Sequence, residues 1–105
     1  MRILVVEDEP TLAAQLQQAL ERAGYAVQVA HDGEQGHYQG EVEAFDAVVL
    51  DLGLPDSLGL DTVRRFFSHG GRMPVLIVLS IVEDQDLAVQ AVQLGAQDYL
   101  IKGIV

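Results

Sequence analysis

Apolar and polar positions fall in blocks along this chain. Four apolar runs, residues 2–6, 47–50, 74–79 and 99–101, are short, continuous and rich in valine, isoleucine and leucine. That pattern predicts strands buried on both faces of a parallel sheet. A fifth run, 25–30, alternates more and predicts an edge strand. Between the runs the apolar spacing changes to that of helices. Pro10 suits a first helical turn, and Leu12, Leu16, Ala19, Leu20 and Ala23 make one apolar face that stops at Gly24. Residues 58–67 predict a second helix with Leu60, Val63 and Phe67 facing inward. Residues 86–94 predict a third, preceded by the acids Glu83 and Asp84 and stopped by Gly95. The stretch 33–43 reads as a weaker helix because Gly36 and Gly40 interrupt it.

The order is therefore βαβαβαβαβ, which predicts an α/β fold: a doubly wound, five-stranded parallel sheet with helices on both faces. With 105 residues there is one core and one domain, 1–105. The chain has no cysteine, which excludes disulfides, thiolate metal sites and cysteine nucleophiles. The first apolar run is too short for a signal peptide, and no other approaches a membrane span. A soluble, cytoplasmic domain without membrane contact is expected. Sixteen acids against six bases give a net charge of −10, which repels phosphate backbones and argues against direct nucleic-acid binding. The only lysine is Lys102.

That lysine belongs to a pattern. Four runs end, on their carboxyl side, at residues able to do chemistry: Glu7 and Asp8, Asp51, Ser80 and Lys102. In an open parallel sheet these ends share the rim where ligands bind. Taken singly, each acid reads equally as the cap of a following helix, Ser80 as a cap and Lys102 as a solvated surface residue. Their coincidence favours a site. Crowded carboxylates repel, so a cation is expected among them, and an all-oxygen set suits Mg²⁺ or Mn²⁺. Such a site suits phosphoryl transfer, with a carboxylate able to serve as nucleophile.

The segments "ILVVEDE", "HDGEQG", "FDAVVLDLGLPDSLGL", "MPVLIVLS" and "GAQDYLIKG", in this order over nearly the whole chain, resemble the response-regulator receiver domain of two-component signalling. The resemblance implies a flavodoxin-like strand order 2-1-3-4-5. It implies Asp51 as phosphoacceptor, with Asp8 as the main metal-binding acid, Glu7 as its water-mediated partner and the Gly53 carbonyl completing the metal shell. Lys102 is then the lysine that pairs with Asp51 and the phosphoryl oxygens, Ser80 the switch hydroxyl, and Tyr99 the aromatic that changes rotamer with it. The implied partners are a histidine kinase or phosphotransfer domain as donor, and a downstream output domain or protein. The implied activity is a phosphorylation-operated switch acting through the face of residues 83–100. Such a domain catalyses only its own phosphorylation and dephosphorylation and is not a metabolic enzyme.

Two features depart from the pattern: the bulky Ile81 after Ser80, and Gly103 where proline often follows the lysine. Receivers also continue through one more helix. A chain ending at Val105 is expected to lack it, which would leave apolar surface beside the first helix for a partner chain or a homodimer. Two alternatives remain at this point. A Mg²⁺-dependent phosphohydrolase with an aspartyl nucleophile typically carries a second acid where this chain has Gly53. A degenerate receiver used only for docking would not need Asp51, Asp8, Ser80 and Lys102 intact. His31, His37 and His69 have no metal-ligand spacing and read as surface or loop residues.

Overall fold

The valine- and leucine-rich runs pair side by side because each offers apolar side chains to both faces. In this computed structural model, residues 1–42, 44–52, 64, 75–80 and 85–101 are described. The elements are β1 (Arg2–Val6), α1 (Pro10–Arg22), β2 (Ala26–Ala30), α2 (Gly33–Val42), β3 (Ala47–Asp51), β4 (Val75–Ser80), α3 (Gln85–Leu94) and β5 (Asp98–Ile101). All neighbouring strands are parallel, in the order β2-β1-β3-β4-β5. The expected five-stranded α/β sheet is therefore present, with its strand order. No described helix is long and apolar enough to cross a membrane. Apart from Arg64, which is helical and exposed, the predicted helix at 58–67 lies outside the described residues, as do Gly53, Ile81, Glu83, Asp84, Lys102, Gly103 and His69.

Alternation along the strands divides the core in two. Leu4, Val6, Val48, Leu50, Leu76 and Val78 pack on one face with Ala88 and Ala91 of α3, and α2 sits on the same side over β1. Ile3, Val5 and Ala47 face the other way, towards Leu16 and Leu20 of α1. This second layer is thinner among the described residues: Val27, Val29 and Val49 on it are only partly buried.

Several boundaries and burials differ from the sequence reading. Asp51 and Ser80 are the last residues of their strands rather than the first beyond them. The run at 99–101, read as buried on both faces, forms the outer strand β5, with Leu100 52% exposed. Apolar content alone does not separate a covered strand from an edge. The buried stripe of α1 runs through Ala13, not Ala19 or Ala23, which are exposed. Ala19 lies about 100° round the helix from Leu20, at the border of the stripe. The α1 C-terminus closes as a Schellman motif: Tyr25 N–H donates to Leu20 O and Gly24 N–H to Glu21 O, with Gly24 at φ 97°.

The stretch read as a weak helix is a ten-residue helix, α2, and it carries His37, which is half-buried rather than a free surface residue. Asp32 Oδ1 accepts from Gln35 N–H at 2.7 Å, and Gln35 Oε1 accepts from His31 N–H, a reciprocal cap. Gly36 does not interrupt the helix but lets it approach β1. A Cβ there would lie 2.8 and 2.9 Å from the two Cγ atoms of Val6, which is fully buried and stiff at χ1. Gly36→Ala gains about 1 kcal/mol of helix propensity but overpacks the core by about 1–3 kcal/mol. The expected outcome is a net loss of stability, read as a lower urea midpoint; an unchanged or higher midpoint would contradict this packing.

Candidate functional site

The register of the three central strands assembles the rim. Val6 pairs with Leu50, Leu50 with Val78, Asp51 with Leu79, and Ser80 with Ile101. Glu7 follows Val6 directly and so lies level with Asp51, and Ser80 ends the next strand one residue further on. Among the described residues these three are the buried polar or charged side chains, at 0%, 2% and 2% exposure. Asp8 is exposed beside them. The sheet extends past β1 through Glu7, whose N–H donates to Ala30 O at 3.0 Å. This bond fixes the backbone from which both acids project.

One carboxylate oxygen from each of Glu7, Asp8 and Asp51 lies within 4.8 Å of the other two. Two negative charges at that separation, such as Glu7 and Asp51, repel by about 3–4 kcal/mol at an effective dielectric near 20. A divalent cation would reverse the sign of that interaction. The donors are all hard carboxylate oxygens, open to solvent on the Asp8 side, which is the chemistry that Mg²⁺ or Mn²⁺ prefers. The residues present therefore fit the group that the sequence implied.

Among the described residues the buried Ser80 Oγ has no hydrogen-bond partner, although a buried hydroxyl normally has one. Tyr99 pairs with Val78, two residues before Ser80, so both side chains project from the same face. Tyr99 is half-buried there, against the core that contains Leu50 and Val78. The sequence-predicted residues Glu7, Asp8, Asp51, Ser80 and Tyr99 are thus brought to one end of the sheet. Gly53 and Lys102 lie outside the described residues.

Sequence reasoning overlooked Glu9. It is the N-cap of α1: its Oε1 accepts from Thr11 N–H at 3.1 Å and its Oε2 from Leu12 N–H at 2.6 Å. Its own N–H donates to Glu7 Oε1 at 3.2 Å. An acid directly before a first-turn proline was the available signal.

The family model described as "Response regulator receiver domain" matches residues 3–105. The probable transcriptional regulatory protein SilR of Salmonella typhimurium is 38% identical over 104 residues, which cover 97% of this chain and 44% of that protein. The transcriptional regulatory protein CusR of Escherichia coli (strain K12) is 36% identical with the same coverage. The chain thus spans less than half the length of these relatives. Among solved structures, the signal receiver domain of a response regulator from Bermanella marisrubri superposes with a TM-score of 0.89 at 33% identity. That match covers 99% of this chain and 87% of the other. The non-phosphorylated HemR receiver domain from Leptospira biflexa gives 0.87 at 31% identity, covering 99% and 83%.

Proposed function

This chain belongs to the response regulator receiver domain family, whose members are phosphorylation-operated switches of two-component signalling, and on that premise we propose that Asp51 is its phosphoacceptor. The observation that carries the assignment is the convergence of Glu7, Asp8 and Asp51 at the end of the central strands. A carboxylate oxygen of Asp51 attacks the phosphorus of a phosphohistidine on a kinase or phosphotransfer domain. The new P–O bond forms as the P–N bond breaks, and the released imidazole takes up a proton. Asp8 and Asp51, with Glu7 and the Gly53 carbonyl, would hold Mg²⁺ or Mn²⁺. When bound, the cation neutralises charge on the transferring phosphoryl oxygens. Lys102, the lysine that the family resemblance pairs with Asp51, would supply a second positive charge to the phosphoryl oxygens.

The acyl phosphate adds a charge of about −1.5 to −2 and strong acceptor oxygens at the rim. Ser80, whose hydroxyl has no hydrogen-bond partner among the described residues, donates to one of them. Tyr99 shares its face, so movement of Ser80 is transmitted to the surface formed by α3 and β5, where an output domain or protein would respond. Removing the hydroxyl in Ser80→Ala is expected to preserve phosphorylation but to suppress phosphorylation-dependent amide chemical-shift changes along β5. Full-sized shifts in that variant would contradict the switch role.

Incubation with acetyl phosphate and Mg²⁺, followed by intact mass measurement over time, tests the proposal. A persistent single phosphoryl adduct supports the switch. Rapid phosphate release without accumulation would identify a phosphohydrolase, and no adduct or release would identify a docking module.

A further inference from the structure

The four N–H positions that open a helix have no intrahelical acceptor, and each must find another partner. In α1 all four are accounted for by two glutamates and a proline. Pro10 has no N–H to satisfy, and Thr11 and Leu12 donate to the two oxygens of Glu9. The remaining N–H, that of Glu9 itself, donates to Glu7 Oε1. A buried acid of the proposed metal site therefore supplies part of the helix cap, and the cap residue in turn anchors that acid.

Only three residues separate the end of β1 from Pro10, and two of them are the acids Glu7 and Asp8. One end of this link is held by the Glu7 N–H bond to Ala30 O. The Glu9 clamp holds the other, with its backbone extended at φ −83° and ψ 115°. The Asp8 carboxylate is exposed, so the backbone on either side must fix its position.

We infer that Glu9 is a positioning residue for the metal site, acting through its cap of α1 to hold the Glu7 and Asp8 carboxylates in register with Asp51. This rests on the reading above that these acids bind a divalent cation. The consequence is a coupling between the first turn of α1 and metal affinity, with no contact between Glu9 and the ion. Glu9→Ala frees two helix donors and loosens the link, whereas Glu9→Asp and Glu9→Ser retain a side-chain oxygen able to cap.

The test is a calorimetric Mg²⁺ titration well below the melting temperature, combined with amide hydrogen exchange in metal-free protein. Wild type, Glu9→Ala, Glu9→Asp, Glu9→Ser and Gln18→Gly are compared. Gln18→Gly weakens α1 at an exposed site away from the cap and controls for lost helix stability. The inference predicts that Glu9→Ala speeds exchange at Thr11 and Leu12 and weakens Mg²⁺ binding three- to tenfold. Glu9→Asp and Glu9→Ser recover most of the affinity, and Gln18→Gly leaves it unchanged. Recovery by the neutral serine separates capping from simple loss of a nearby negative charge. Wild-type affinity in Glu9→Ala, an equal loss in Gln18→Gly, or failure of both capping variants to recover would overturn the inference alone. Absence of Mg²⁺ binding by the wild type would overturn the metal-site reading, and this inference with it.

Discussion

The Asp51→Asn variant is expected to fold and to take up no phosphoryl group. The substitution keeps the shape of a side chain that is 2% exposed at the end of β3, between β1 and β4. It removes the anionic oxygen that must form the new bond, and an amide oxygen is a far weaker nucleophile. Intact mass after acetyl phosphate treatment should fall to the level of an untreated sample, while the urea midpoint shows a stable fold. Undiminished adduct in this variant would move the phosphoacceptor to another residue. The complementary variant Asp8→Asn leaves the nucleophile in place but removes an acid from the cluster. It should therefore slow phosphorylation without abolishing it.

Magnesium should stabilise the folded chain by an amount that the acid cluster sets. The Glu7, Asp8 and Asp51 oxygens are brought within 4.8 Å only by folding, so the cation binds the native state in preference to the unfolded one. At ten times its dissociation constant such a ligand contributes about 1.4 kcal/mol. For a chain of this size that corresponds to a rise of about 6 °C in Tm. The rise should be largely lost in Asp8→Asn, whose exposed side chain makes the substitution easy for the fold to accept. It should also be absent when monovalent salt replaces Mg²⁺ at matched ionic strength. An equal rise in Asp8→Asn, or in monovalent salt, would show general screening rather than a site.

The sequence made the sheet legible because its central strands are nearly uniform in chemistry. Runs such as 2–6 and 47–50 can satisfy their apolar side chains only between two layers, and turn and helix signals divide them. The site was legible for the opposite reason. Buried Glu7, Asp51 and Ser80 are conspicuous at the ends of strands made of valine and leucine. Coverage was harder to read. The apolar run of β5 is as unbroken as that of a central strand, though shorter, and its edge position depends on long-range pairing that local pattern does not encode. Gly36 was misread because propensity treats glycine as a helix breaker. Here its missing Cβ is what allows α2 to pack against Val6. Glu9 was passed over beside two more reactive-looking acids, and its capping role depends on hydrogen bonds to Thr11 and Leu12.

The most direct test of the account is to locate the phosphoryl group chemically. Borohydride reduces an acyl phosphate to an alcohol, so a phosphorylated aspartate becomes homoserine at its own position. Protein treated with acetyl phosphate and Mg²⁺, then reduced, digested and mapped by peptide mass spectrometry, should show this conversion at Asp51 alone, and only when Mg²⁺ was present. Conversion at another carboxylate, or none in a protein that has gained phosphate, would contradict the account.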